Sequence, residues 1–249
     1  MCTNFVPSRG AVLNERFGVT EPDVKFRDEA YPGYLAPIVR HDSNAQRQCE
    51  AAVFGLIPSW SKDGKNYRFC YNARSETVAT KPSFRGAWRK RQFCIVPVQA
   101  FYEPSYESGK AVRWRIEQTN GEPMALAAIW ESWRRPAPSD TGKRVGPSDL
   151  DRLDGTADKD WVSSFSLLTV NADEHPTMRQ FHRREDEKRS VVLLSPEAID
   201  LWLNSDEHSV ESWPRILAAS NAIELFGFAS PKPRKAGAPP VPKPTRRLI

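Results

Sequence analysis

A succession of short apolar segments, with few helical segments between them, is the feature of this sequence that most restricts its fold. In one of them, Val112, Trp114 and Ile116 alternate with polar residues, as in a half-buried strand, and Asn120-Gly121 is typical of a hairpin turn into the next strand. Strands that follow one another without helices favour antiparallel pairing over parallel βαβ units. The predicted strands cover residues 50–57, 92–98, 111–118, 124–131, 164–172 and 190–194.

Three segments are predicted as helices, at residues 80–88, 173–182 and 195–204. The last has Ser195 at the N-cap position and proline in the first turn, and Asp173 is a plausible cap of the second. We therefore expect a strand-rich domain with a few short helices.

Two segments lack apolar periodicity. Residues 134–160 are predicted to form a long surface loop between two strands of one domain. Residues 231–249 contain six Lys or Arg, six Pro and no acidic residue, which predicts an extended, disordered basic arm. Such an arm attracts phosphates, although a tail that only improves solubility explains it equally well.

The net charge of +5 resides largely in that arm, so the rest of the chain is close to neutral. Nucleic-acid binding by the domain would therefore need a local basic patch. One exists between residues 74 and 91, where a single acid accompanies six cations. They are Arg74, Lys81, Arg85, Arg89, Lys90 and Arg91.

Several classes of protein are not indicated. No stretch approaches the ~20 apolar residues of a membrane span, and the N-terminus lacks the pattern of a signal peptide, so an intracellular protein is expected. The four cysteines are too scattered for a disulfide framework and form no C-x-x-C pair. His175 and His182, seven residues apart, are a poor metal signature. We predict neither a metal nor another cofactor.

Cys2, directly after the initiator methionine, is the first candidate for chemistry. Removal of Met1 would leave an α-amine and a thiol on adjacent carbons. An α-amine titrates near ~8, so part of it is neutral and nucleophilic at pH 7. An aldehyde is the distinctive partner of a 1,2-aminothiol: the amine forms a Schiff base and the thiol then closes a five-membered thiazolidine. The alternative is that any small residue would serve at this position.

Polar residues at the ends of strands and helices are the other candidates. Asn72 and Arg74 follow an apolar segment, Glu103 lies between aromatic residues, and His182 ends a predicted helix. Glu103 and His182 are suited to proton transfer. Each also has a structural explanation: a turn cap, a solvated ion pair or a helix end.

Taken together, seven blocks of the sequence resemble the SOS-response-associated peptidase (SRAP) family of abasic-site processing proteins. They occur in family order and cover about residues 2–205. The blocks are "MC" at 1–2, "YLAP" at 34–37, "FGLIPSW" at 54–60, "NARSET" at 72–77, "FYEP" at 101–104, "LTVNAD" at 168–173 and "FHRREDEKRSVVLLSPEAIDLWL" at 181–203.

The resemblance implies an α+β fold, a single compact domain with a curved, mostly antiparallel, barrel-like β core and a few short flanking helices. With the tail set apart, the domain would span residues 2–230. The family crosslinks its N-terminal cysteine to the ring-opened aldehyde of an abasic site in single-stranded DNA. Such DNA is the implied partner, and the protein is expected to be monomeric.

The resemblance also implies roles for individual residues. Cys2 would be the nucleophile, and Asn72 would hold the sugar and the terminal cysteine. Glu103 would manage the protons of the α-amine, and His182 would assist ring opening and reversal. The implied DNA contacts are Trp60 as a wedge or stacking surface, Arg74 on a phosphate, and Arg189 as a weaker match. Arg85, from the basic patch, is a further predicted phosphate contact.

The sequence departs from the family pattern at two points. Many members begin Cys-Gly-Arg, with the arginine on DNA, whereas Thr3-Asn4 follows Cys2 here; and Arg189 is followed by Ser190-Val191 instead of Met-Pro. Two other functions stay open: a cysteine peptidase acting on itself, and a non-catalytic module that binds single-stranded DNA. A competing lyase reaction, β-elimination, also stays open.

Overall fold

Twelve strands and three α-helices form the described part of the chain, which in this computed structural model comprises residues 2–138, 144–153, 160–204, 216, 219–232 and 247–248. The helices are α1 (Ala11–Phe17), α2 (Arg85–Arg89) and α3 (Pro196–Leu203). The strands are β1 (Phe5–Pro7), β2 (Leu35–His41), β3 (Arg47–Phe54), β4 (Asn72–Arg74), β5 (Phe93–Ser105), β6 (Val112–Gln118), β7 (Met124–Arg134), β8 (Trp161–Asn171), β9 (Arg189–Val191), β10 (Leu193–Leu194), β11 (Leu225–Ala229) and β12 (Arg247–Leu248).

Five of the strands close into a barrel. They pair in the order β7-β8-β3-β2-β5, and β5 pairs again with β7 to complete the ring. All of these pairs are antiparallel except β3 with β8. The expected α+β fold with a curved, mostly antiparallel β core and few short helices is therefore confirmed.

Strand β5 belongs both to the barrel and to an outer extension of the sheet. Its first half, Phe93 to Val98, pairs with β7, and its second half, Phe101 to Ser105, pairs with β6, which continues to β11 and β12. β1 also pairs with β5. The second half of β5 therefore lies between the N-terminal strand and β6, and this is where Glu103 is found.

Alternating residues of the barrel strands form two apolar layers. Val96 of β5 and Leu126 of β7 belong to an inner cluster, whereas their neighbours Ile95 and Ala127 belong to an outer one. The outer cluster includes residues of all three helices, among them Trp202. Because the helices pack on the outside of the barrel, the inner cluster is the one that fills it. Because both layers are apolar, the barrel strands are nearly continuous apolar runs in the sequence; β3, β5, β7 and β8 were predicted at least in part, whereas β2 was not.

The predicted helix over residues 173–182 is wrong. Only a single 3-10 turn, Met178–Gln180, forms there. Asp173 accepts a hydrogen bond from the backbone N–H of Lys188, and His175 Nδ1 accepts two from the N–H groups of residues 177 and 178. Such side-chain bonds compete with a helix, and Pro176 supplies no backbone donor.

The segment predicted as a surface loop, 134–160, connects β7 to β8. Its residues Ser148–Leu153 form a 3-10 helix that is held against the barrel, because buried Asp149 accepts hydrogen bonds from Arg27 and from the backbone N–H of Leu35. Residues 139–143 and 154–159 lie outside the described part.

The basic tail is described only at its two ends. Most of the predicted arm, residues 233–246, lies outside the described part, whereas Arg247–Leu248 pair with β11 as β12. None of the helices in the described ranges has the length and apolar character that crossing a bilayer requires.

Candidate functional site

Pairing between β1 and β5 positions Cys2. Phe5 is opposite Phe101, and the Tyr102 N–H donates to the carbonyl of Asn4 at 3.2 Å. Cys2, which precedes β1, is fully buried within the inner cluster, and its thiol donates to the Asn4 carbonyl at 3.4 Å. The candidate nucleophile is therefore held by backbone pairing and is not on a frayed terminus.

Asn72 contacts Cys2 directly. Because β4 pairs in parallel with β8, Asn72 opposite Leu167 brings its amide to the N-terminal segment, where Nδ2 donates to the Cys2 carbonyl at 2.9 Å. The other amide atom, Oδ1, is buried and has no hydrogen-bond partner within the part of the chain that the structure describes. A buried acceptor beside Cys2 is suited to a hydroxyl or amine of a bound ligand.

Glu103 and His182 form a close pair. His182 Nε2 lies 2.9 Å from Glu103 Oε2, and the Glu103 side chain is fully buried. The backbone N–H of His182 also donates a hydrogen bond to the backbone carbonyl of Pro104 at 2.9 Å. His182 has φ of 66°, a left-handed conformation that is uncommon outside glycine, so the backbone turns sharply to present this imidazole.

The thiol of Cys2 is held in its neutral form. Burial is the main cause that raises the pKa of Cys2 from 9.0 to about 12, and the negative charge of Glu103 is the second. The influence of Glu103 shows that the carboxylate and the thiol belong to one electrostatic site. At neutral pH the site therefore contains a protonated thiol, not a thiolate.

Sequence analysis missed a residue that anchors the N-terminal strand. Glu29 accepts hydrogen bonds from Asn4 Nδ2 at 3.1 Å and from the hydroxyl of Tyr102 at 3.1 Å, and pairs with Arg113 at 2.6 Å. Asn4, the second residue after Cys2, thus serves in anchoring. No local pattern signals Glu29, because its partners come from distant parts of the sequence.

Arg74 and Arg189 were predicted together but have different surroundings. Arg74 is exposed and pairs with Glu187 at 2.8 Å. Arg189 is 3% exposed and bonds Glu76, Glu187 and the carbonyl of Thr169. Arg189 therefore ties β8 to Glu76, two residues after Arg74 at the end of β4. A phosphate contact by Arg189 itself stays a prediction.

Two aromatic side chains project from the loop that leads to β4. Trp60, predicted as a wedge, is 58% exposed, and Phe69, which sequence analysis missed, is 83% exposed. A hydrogen bond of 2.6 Å from Ser61 Oγ to Asn66 Oδ1 ties together the parts of the loop that bear them. The sequence signal that could have indicated Phe69 was an aromatic residue directly after a cationic one, Arg68.

Cys2, Asn72, Glu103 and His182 thus meet at one site. Arg85 is exposed at the start of α2 and lies on the outer layer, since Ala87 of the same helix packs in the outer cluster. Its role in DNA binding stays a prediction.

A metal centre is not indicated in the described ranges, which contain no cluster of three or more His, Cys, Asp or Glu side chains that could bind an ion. His175 is committed to backbone donors, and burial lowers its pKa, which favours the neutral imidazole.

Comparison with known proteins identifies the family. The model of the SOS response associated peptidase (SRAP) family matches residues 1–226. This chain belongs to the SRAP family. The resemblance inferred from the seven sequence blocks is therefore confirmed, and the matched range contains every residue of the site just described.

The SRAP relatives include bacterial and vertebrate proteins. The abasic site processing protein YobE of Bacillus subtilis is 38% identical over 176 residues, which are 70% of this chain and 67% of YobE. The abasic site processing protein YoqW, also from Bacillus subtilis, is 38% identical over 84 residues, 33% of this chain, and the match spans 37% of the length of YoqW. The abasic site processing protein HMCES of Gallus gallus is 23% identical, covering 62% of this chain and 44% of HMCES.

The fold has a counterpart among solved structures. A crystal structure of a protein from Bordetella bronchiseptica superposes with a TM-score of 0.71 at 27% identity, over 92% of this chain and 99% of that one.

Proposed function

We propose that this protein takes part in the response to DNA damage by capturing abasic sites in single-stranded DNA covalently through Cys2, after removal of Met1. The observation that carries the proposal is that buried Cys2 is bonded by Asn72 and lies in the field of Glu103, which pairs with His182. The relatives named abasic site processing proteins support the choice of substrate.

The buried, neutral thiol supports an order of events. A thiol whose pKa is raised to about 12 is a poor first nucleophile at pH 7, whereas an α-amine is partly neutral there. The amine of Cys2 therefore attacks the aldehyde of the opened sugar and, with loss of one water, gives a Schiff base. The thiol sulfur then adds to the same carbon as its proton passes to the nitrogen, which closes the thiazolidine.

Glu103 and His182 supply the proton transfers. An abasic sugar is mostly a closed hemiacetal, and its aldehyde appears when the C1′–O bond to the ring oxygen breaks, as the C1′ hydroxyl loses a proton and the ring oxygen gains one. The imidazole of His182 donates this proton, and Glu103 accepts the proton that blocks the α-amine. The 2.9 Å contact between them allows either group to reset the protonation of the other.

The surface around the site is suited to an unpaired strand. Trp60 and Phe69 offer exposed rings on which bases stack, and Arg74 offers a cation for a phosphate. Stacking on these rings requires bases that are free of a partner strand, which favours single-stranded over duplex DNA.

A cysteine peptidase is less well supported. Such an enzyme needs a thiolate activated by a base, and its cysteine typically has a lowered pKa. The pKa of Cys2 is raised instead, and the imidazole of His182 pairs with Glu103. Acetylation of the mature N-terminus separates the two functions, because it blocks thiazolidine formation and spares a reaction that uses only the thiol.

Intact mass spectrometry tests the proposal. The protein is incubated with a uracil-containing oligonucleotide after uracil excision. We expect a species whose mass equals the protein without Met1 plus the DNA minus one water. A protein that binds the oligonucleotide without any such covalent species would be a non-catalytic binding module.

Variants of Cys2 refine the test. Cys2→Ala retains the amine without the thiol, so the heat-stable adduct should disappear while affinity for single-stranded DNA stays within a few fold. Cys2→Ser forms a much less stable ring, so only a labile Schiff base, trapped by borohydride, is expected. A heat-stable adduct from Cys2→Ala would assign the nucleophile to a lysine.

A further inference from the structure

A basic pocket of about 580 Å³ lies beside the candidate active site. It is formed by the hairpin between β5 and β6 and by the loop that follows His182. Its polar lining consists of Tyr106, Lys110, Arg183, Arg184 and Glu185. The pocket contains none of the residues that the proposed chemistry uses.

The residues that line the pocket are close in sequence to those of the active site. Arg183 directly follows His182, and Tyr106 lies three residues after Glu103. The hydrogen bond from the N–H of His182 to the carbonyl of Pro104 holds the two segments together at 2.9 Å. Consecutive Cα atoms are ~3.8 Å apart, so the pocket begins one residue after His182 and three residues after Glu103.

The charges of the pocket are suited to an anion. Lys110, Arg183 and Arg184 are exposed cations, and Glu185 is the one carboxylate among the residues that line it. The Arg183 guanidinium lies 5.5 Å from the ring centroid of Tyr106, which orients its planar face and leaves edge donors for a phosphate.

The loop that carries these arginines also reaches Arg74. Its backbone is braced by the Lys188 ammonium, which bonds the carbonyls of Arg183 and Asp186. Near its other end, Glu187 pairs with Arg74 at 2.8 Å. Two basic points, Arg74 and the pocket, are therefore linked by one short loop that begins at His182.

We propose that this pocket binds backbone phosphates of the DNA strand next to the lesion, as a second anchoring point besides Arg74. The inference rests on the proposed function, because it assumes that the strand crosses the site at Cys2. Lys110, Arg183 and Arg184 hold the phosphodiester on one side of the abasic sugar, and this fixes the sugar against His182.

The test measures binding of an unmodified single-stranded oligonucleotide, so it does not depend on crosslinking. Arg183→Ala/Arg184→Ala removes two charges from the pocket. Arg16→Glu is the matched control: it changes the charge equally at an exposed residue of α1 that pairs with Glu122, beyond the opposite end of β6. We expect the log–log salt slope of the double variant to fall by ~0.7 for each phosphate that the pocket no longer neutralises, and that of the control to stay at the wild-type value.

Neutral methylphosphonate linkages locate the phosphates that the pocket binds. Placed one at a time along an oligonucleotide with a central tetrahydrofuran analogue of the abasic sugar, which has no aldehyde and is not crosslinked, they should weaken wild-type binding at one or two positions on one side of the lesion. The double variant should be insensitive at those positions, and Lys110→Ala should be partly so.

The inference is overturned if the double variant has the wild-type salt slope, or if it stays sensitive to every linkage to which the wild type is sensitive. Absence of crosslinking in the wild type would instead refute the proposed function. Thermal unfolding of each variant at the wild-type temperature confirms that the exposed substitutions leave the fold intact.

Discussion

At the scale of single residues, substitutions of Glu103 and His182 should change the rate of crosslinking without changing the affinity for DNA. Neither is predicted to contact the DNA backbone, and both are at the reacting centre. General acid–base assistance is typically worth ~10²–10⁴-fold. His182→Ala and Glu103→Ala should therefore slow single-turnover crosslinking by that order, with little change in the dissociation constant for DNA.

Two comparisons sharpen this prediction. Glu103→Gln preserves shape but not basicity, so it should be nearly as slow as Glu103→Ala. The pH–rate profile of the wild type should contain an inflection that His182→Ala lacks. Identical rates and profiles in the wild type and His182→Ala would remove His182 from the mechanism.

The buried thiol of Cys2 predicts a pH dependence of stability. Burial and the charge of Glu103 raise its pKa from 9.0 to about 12, so between these pH values the unfolded chain releases a proton that the folded chain retains. The unfolded state then binds fewer protons, and the free energy of unfolding falls as pH rises. The contribution is fully present below pH 9 and is lost as pH approaches 12.

The matched variant is Cys2→Ala, which retains the terminal amine and the other buried cysteines. Denaturant unfolding between about pH 8 and 11 should show a steeper fall for the wild type than for the variant, by at most about 1.4 kcal/mol per pH unit for one proton. Parallel curves would mean that the thiol ionises in the folded protein as readily as in the unfolded chain.

At the scale of elements, Arg74 and Arg189 show how one ion-pair network serves both stability and binding. Arg189 is buried where β8 and β9 pair and bonds two carboxylates and a carbonyl. Arg189→Ala removes the shared partner of Glu76 and Glu187 and leaves a buried gap, so the free energy of unfolding should fall by about 2–3 kcal/mol.

Arg74→Ala is the control, because both arginines bond Glu187 but Arg74 is exposed. It should lower stability by about 1 kcal/mol or less while weakening DNA binding. Denaturant titrations together with DNA-binding isotherms of the two variants would show whether the effects separate in this way; equal loss of stability in both would contradict the structure.

At the scale of the whole molecule, charge is concentrated in the tail and in patches around the site. The affinity for single-stranded DNA should fall linearly in a log–log salt titration. Deletion of residues 233–249, which removes the net basic charge of the chain, should lower that slope. Crosslinking at saturating DNA should be unchanged, since the residues that form the site precede the deletion. If crosslinking at saturation disappeared, the tail would belong to the active site.

Local sequence determined much of the molecule. The alternation in β6, the apolar runs of β7 and β8, and the Ser195 cap of α3 depend on neighbours in the chain, so these elements were predicted with boundaries a few residues off. In β5 the prediction ended at residue 98, whereas the strand continues to Ser105. The same locality explains the error at residues 173–182, where Asp173 was interpreted as a helix cap although its side chain bonds the N–H of Lys188 and His175 bonds two backbone N–H groups.

The site is a different case. The motifs around Cys2, Asn72, Glu103 and His182 could be quoted from the sequence, but only the closed barrel brings them together, because β1 pairs with β5 and β4 with β8 across long stretches of chain. Three further features likewise depend on segments that are distant in sequence but close in space. They are the burial of Arg189, the anchoring by Glu29 and the raised pKa of Cys2. The sequence by itself determined which groups the protein has for its chemistry, and tertiary packing decided their distances and charge states, since solvation and Coulomb energies depend on neighbours in space.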